Sequence, residues 1–298
     1  MHTRINSFTI LLIIFLLLPL YSQDKDTVKN KGKEKYNVFE DYKFYEGRPT
    51  IDLSYGISKP DLFNSGASFI RQGLLEMKLG YTYEKKYRYG NDITKYVNRF
   101  IYGGFFANNL HLKPYDNGDI KTWRFGIGTS SGYGYQVWDK SSIILYNSNS
   151  LAWTRYDNDL YPDFFVGNEY VPEYYNTLEF NRTIRFGTGM QAGIIIPIQG
   201  IVNIQVQFDR TLVFPHHLVW KNIGSAIIEA AVQSAADGFV HGIFKSSSPA
   251  VAPVINFIFK NGIALAMYEL RREKMNWPFE SAPPMVFDSF KAGFSFKF

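Results

Sequence analysis

Apolar and polar residues alternate along much of this chain with the two-residue period of a β-strand. From position 202, Val202, Ile204, Val206 and Phe208 share one face, while Asn203, Gln205, Gln207 and Asp209 share the other. Just upstream, Phe186, Met190, Ala192, Ile194 and Ile196 alternate with Arg185, Gly187, Gly189, Gln191 and Gly193, and the turn at 197–200 joins the two runs. The same alternation sets Trp123, Phe125, Ile127, Tyr133 and Tyr135 against Arg124, Gly126, Gly128, Gly132 and Gly134. It also sets Leu75, Met77, Leu79 and Tyr81 against Glu76, Lys78, Gly80 and Thr82. The pattern predicts strands near 50–58, 73–87, 98–107, 120–137, 142–155, 181–198, 200–214 and 287–298. The run at 98–107 is looser, and 142–155 is poorly patterned.

Several of these runs exceed the five or six residues of an average soluble strand and reach the roughly 9–11 that a membrane-crossing strand needs. The last run is the most telling. Phe290, Ala292, Phe294, Phe296 and Phe298 alternate with Lys291, Gly293, Ser295 and Lys297. In water such an edge would invite aggregation; paired with the first strand of a closed barrel it is no edge at all. In these features the chain resembles bacterial outer-membrane β-barrel proteins, whose final strand ends in Phe. The resemblance implies an all-β antiparallel transmembrane barrel, with Phe294, Phe296 and Phe298 as its assembly signal. It also implies two partners, outer-membrane lipid and the barrel-assembly machinery.

Export fits that expectation. His2 and Arg4 precede an apolar run at 10–20 that is followed by Ser22, the layout of a cleavable signal peptide over 1–22. Residues 23–48 read as a flexible periplasmic segment, and 49–298 as the barrel. The formal charge of +5 comes from scattered basic residues with no dense Lys/Arg run, so nucleic acid is not expected as a partner. With no cysteine, disulfides, thiolate metal sites and a lipid-bearing N-terminal cysteine are excluded. No cofactor motif is present.

One segment breaks the period of two. Between about 219 and 246, Ser225, Glu229, Gln233, Asp237 and His241 recur every four residues on an otherwise apolar surface, which predicts a helical insert buried on most sides. Glu229, Gln233, Asp237 and His241 argue against its spanning lipid alone, since an acid at the bilayer centre costs roughly 2.5–3.5 kcal/mol. It is expected to cap or enter the barrel mouth, opposite inward residues such as Arg124, Arg185 and Asp209. Beyond it, Asn261-Gly262 suggests a hairpin between 254–259 and 263–270, whereas the residues from Ala264 to Lys274 are good helix formers. Eight strands and ten therefore both stay open.

The inward face should carry Glu76, Lys78, Arg124, Arg185 and Asp209, together with many glycines that permit curvature or the close approach of another group. Eight strands enclose only enough room for side chains or one small ligand. Three functions stay open: a narrow channel or uptake barrel for a small solute, a structural or surface-interaction barrel, and a lipid-modifying hydrolase. For the last, His216 and His217 beside Trp220 are the catalytic candidates. Ser225 and His241, sixteen helical residues apart, stand roughly 24 Å from each other and cannot share a catalytic site. The acidic run at 156–180 matches no calcium-loop spacing and reads as a solvated loop.

Overall fold

A computed structural model describes residues 47–298 apart from 65–68, 88–91, 112–119, 139–140, 159–178, 217 and 247–248. The expected signal peptide, nearly all of the N-terminal segment and most of the acidic loop lie outside the described residues.

Eight antiparallel strands close into one barrel. They are β1 (Arg48–Leu62), β2 (Gln72–Lys86), β3 (Ile93–Ala107), β4 (Ile120–Trp138), β5 (Ser141–Asn158), β6 (Ile184–Gln199), β7 (Val202–Val213) and β8 (Met285–Lys297). Each pairs with its neighbours in sequence, and β1 pairs with β8, from Thr50 opposite Lys297 to Leu62 opposite Met285. The Phe-rich last strand therefore leaves no free edge, and lipid-facing Phe290 and Phe294 are among the most exposed residues of the wall. A closed antiparallel barrel with an apolar outer wall is the architecture of outer-membrane barrels.

Register fixes which side chains point in. Glu76, Gly104, Arg124 and Thr154 stand opposite one another along a continuous row of pairs, and their parity is the lumenal one. The loose pattern of β3 now has a cause: it turns aromatics inward as well as outward. Tyr102 and Phe100 lie over Gly126 and Gly128, where an added Cβ would come within 2.6 Å of each ring. Tyr146 of β5 covers Gly193 in the same way. Gly126, Gly128 and Gly193 thus make room for rings, which at these positions is the close-approach reading rather than curvature alone.

Between β7 and β8 the chain forms two helices, α1 (Val219–Phe244) and α2 (Ala252–Glu273). The second takes in the whole proposed hairpin at 254–270, so the strand count is eight. Helix formers win there over the Asn-Gly turn signal, and Gly262 sits inside a helix where nothing crowds it.

The helical hairpin does not enter the barrel mouth. It lies against the outer wall, with α2 crossing β4, β5, β6 and β7. At the short-turn end of the barrel, Phe244 packs its ring on Tyr87 and Tyr133 at centroid distances of 4.4 and 4.7 Å. There Tyr135 also donates its hydroxyl to the Ala250 carbonyl at 2.6 Å. At the long-loop end, Ala264, Tyr268 and Met275 cluster with outward-facing Met190, Leu212 and Val286. The hairpin therefore runs the full height of the wall and back. Its 26-residue first helix is about 39 Å long, enough for a hydrocarbon core of roughly 30 Å. The stretch Pro249–Glu273 is also long and apolar enough to cross a membrane.

Candidate functional site

Among the described residues, polar groups gather in the lumen and at the seam between the hairpin and the outer wall.

In the lumen, Lys291 donates to both carboxylate oxygens of Glu76 at 2.9 Å. Lys78 lies 3.6 Å from the same carboxylate and donates to Gln191 at 2.6 Å. Arg124 stands 3.6 Å from Asp209 and donates to Thr211 and Thr154 at 3.1 and 3.2 Å. Its guanidinium also sits between the rings of Phe106 and Phe287, 4.7 and 4.8 Å from their centroids. Asp52 is a further buried acid facing inward. Three acids (Asp52, Glu76, Asp209) thus balance three bases (Lys78, Arg124, Lys291). Lys291 and Arg124 keep only 1% of their side chains exposed. Charges so buried persist only when paired and hydrogen-bonded.

Four of the five expected inward residues, Glu76, Lys78, Arg124 and Asp209, meet in this cluster. Arg185 does not. It has inward parity, opposite Thr154, but is the second residue of β6, where its guanidinium binds the Glu179 and Pro215 carbonyls at the rim. At a strand end the nearest acceptors are loop carbonyls rather than the lumenal carboxylates. Sequence reasoning missed Lys291 as a lumenal residue, although its place between outward Phe290 and Ala292 marks it.

The second place lies outside the barrel. On β4 and β5 the outward face turns polar at mid-strand: Thr129 and Ser131 stand opposite Asn149 and Asn147. This is why 142–155 looks poorly patterned; its outer face meets the hairpin rather than continuous lipid. The polar stripe of α1 faces the same way. Glu229 accepts from Arg271 at 2.7 Å, and Ser225 accepts from the same guanidinium at 2.9 Å. Asp237 accepts from Lys260 at 2.6 Å, and Gln233 donates to the Lys260 carbonyl at 3.2 Å. Pairing across the hairpin answers the cost that argued against α1 lying at membrane depth. Trp220, Ile227 and Phe239 of the same helix are exposed.

Between this stripe, α2 and the wall lies a cavity of about 450 Å³. Glu229, Gln233, Asp237 and Ser225 line it, whereas His241, the lowest member of the stripe, does not. Apolar lining comes from Ile127, Leu151, Phe186, Phe214, Ile223 and Met275. Gln233 Oε1 is buried without a hydrogen-bond partner.

The hydrolase candidates gain no support. His216 is exposed just past β7, with no hydrogen bond or ion pair among the described residues, and His217 lies outside them. Nor do three or more His, Asp or Glu residues gather as a metal site among the described residues.

No family model and no curated protein matches this chain. Solved structures do. The crystal structure of Neisserial surface protein A matches at 11% identity and a TM-score of 0.37, covering 84% of this chain and 97% of the other. That of Ail, the attachment invasion locus protein of Yersinia pestis, matches at 8% identity and a TM-score of 0.34, covering 85% and 99%. The chain itself is a closed eight-stranded antiparallel barrel of the outer-membrane kind, carrying a helical insert on its wall.

Proposed function

We propose that this chain is a non-conducting outer-membrane barrel of the structural or surface-interaction kind, working at its wall and rim rather than through its lumen. It is read as exported by the signal at 1–22, assembled through its Phe-rich last strand, and held in lipid by its outward Leu, Ile, Met and Phe residues. The observation that carries this reading is the lumenal cluster. Glu76, Lys78, Lys291, Arg124 and Asp209 fill the cross-section with contacts of 2.6–3.9 Å to one another and to neighbouring polar side chains. A solute taking that route would have to part ion pairs that have almost no access to water, which disfavours the alternative of a narrow channel or uptake barrel.

Reconstitution of the full chain into planar bilayers tests it. The expected result is a baseline without discrete conductance steps across the usual range of voltage and salt. Reproducible single-channel steps, abolished when Lys291 is replaced, would overturn the reading and restore solute passage.

A further inference from the structure

We propose that the cavity between the hairpin and the outer wall is a binding site for an uncharged amphiphile, an acyl or similarly apolar body bearing ester, amide or hydroxyl groups. This inference does not depend on the lumen's being sealed. It starts from position. Thr129 and Asn149 stand near the middle of β4 and β5, on the outward side, so the cavity opens at membrane depth rather than at a headgroup plane. At that depth, polar groups are costly unless something satisfies them, and they mark functional sites.

Charge then narrows the class. The ionised residues lining the cavity are Glu229, Asp237, Lys260 and Arg271. They are already joined as two pairs, Glu229 with Arg271 and Asp237 with Lys260. No charge is left over for a carboxylate or phosphate to meet, and an ionised ligand would have to break a pair to find a partner. What remains free is neutral hydrogen-bonding capacity. Gln233 Oε1 is buried and unpartnered. Asn149 and Thr129 make no side-chain hydrogen bond among the described residues. Ser131 spends its hydroxyl on Asn147 at 3.4 Å, and the Asn147 amide hydrogens remain available. Donors on the wall and an acceptor on α1 thus face each other across an otherwise apolar space. Its volume of about 450 Å³ falls in the range of roughly 300–1,000 Å³ typical of small-molecule sites.

The cavity also separates a ligand from ordinary solvating lipid. Bulk acyl chains can fill an apolar groove but offer nothing to Gln233, Asn147 or Asn149. A chain bearing carbonyl or hydroxyl groups satisfies those amides and fills the space at once. The residues that would recognise it come from three elements, β4, β5 and α1, so the site exists only while the hairpin is docked.

The test uses the full chain in lipid nanodiscs and a photoactivatable monoacylglycerol, an uncharged probe with ester and hydroxyl groups. Labelled peptides are mapped by mass spectrometry. Labelling should fall on α1 and on β4–β5, be displaced by unlabelled monoacylglycerol, and be displaced far less by a fatty acid of the same chain length, ionised at neutral pH. Removing the hydrogen-bonding groups in Asn149→Leu with Gln233→Leu should weaken labelling about tenfold. Filling the space with Ala226→Phe should abolish it. In each variant, heat-modifiable electrophoretic mobility reports that the barrel is still folded. The proposal is overturned if folded variants label as the parent does, if the fatty acid competes equally, or if labelling spreads evenly around the wall.

Discussion

The lumen and the hairpin seam bury the same chemistry with opposite packing. In the lumen, three acids and three bases are interleaved with rings and hydroxyls, and Lys291 alone reaches both oxygens of Glu76 and approaches Asp209 at 3.9 Å. Beside the cavity at the seam, Lys260 and Arg271 each serve one acid, and about 450 Å³ of space remains next to the pairs. A barrel of eight strands has a fixed, narrow bore that its inward side chains must fill. A hairpin laid on a curved wall has no such constraint. It touches along α2 and at the far end of α1, and stands off between. The lesson is that closure dictates packing inside, while docking leaves room outside.

The largest effect should come from unbalancing the lumen. Glu76→Gln would leave Lys291 and Lys78 facing each other without their shared carboxylate. Losing one partner of a buried pair costs about 3–5 kcal/mol. Urea unfolding in detergent micelles or vesicles should show a loss of that size. Replacing the pair together, Glu76→Met with Lys291→Met, should recover much of it, because hydrophobic substitutes of similar volume often match a buried pair. If the single change proved harmless, the lumen would have to contain water that relaxes around the lysines, and the contrast with the seam would fail.

Much of the barrel could be read from the chain, because a strand's two faces see different solvents. Phe125 and Ile127 alternate with Arg124 and Gly126, and that parity alone assigned four of the lumenal charges. What could not be read was where the wall meets protein instead of lipid. Asn147 and Asn149 broke the pattern of β5, but a broken pattern does not say what covers it. The stripe Ser225, Glu229, Gln233 and Asp237 was visible for the same reason that lumenal residues were, by its period. Its partners Lys260 and Arg271 were hidden, since nothing in the chain fixes how α2 rotates against α1. The mouth-capping placement followed from assuming that buried charges must face the lumen; the hairpin instead supplies its own counter-charges. Arg185 shows the remaining gap, as inward parity at a strand's end still leads to the rim.

A smaller effect should follow at the seam. Arg271→Leu removes the partner of both Glu229 and Ser225, whose contacts lie at 2.7 and 2.9 Å. The expected cost is about 1–3 kcal/mol, below the lumenal one, because Glu229 borders a cavity that can admit a relaxed arrangement. The change should stay local. Hydrogen exchange should rise in α1 and α2 while the strands remain protected, and Glu229→Leu added to Arg271→Leu should restore the hairpin. Equal loss of protection in barrel and hairpin would mean that the two regions form one cooperative unit, and the comparison above would dissolve.

The smallest effect belongs to contacts that look as close but face water. Arg272 bridges Asp61 of β1 and Glu269 of its own helix, with 38% of its side chain exposed and 39% of that of Asp61. Exposed pairs contribute at most about 1 kcal/mol, because solvent screens the attraction and two long side chains lose freedom. Arg272→Ala should therefore shift the urea midpoint slightly, and by less still as salt is raised. Arg210, which pairs with Asp288 on the neighbouring strand at 2.6 Å and also with Glu269 of α2, keeps only 12% of its side chain exposed and is the internal control on the same helix-to-wall contact. Arg210→Ala should cost clearly more and respond less to salt. Were the two changes equal in size and salt dependence, burial would not be what grades these interactions, and contact distance would have to be weighed in its place.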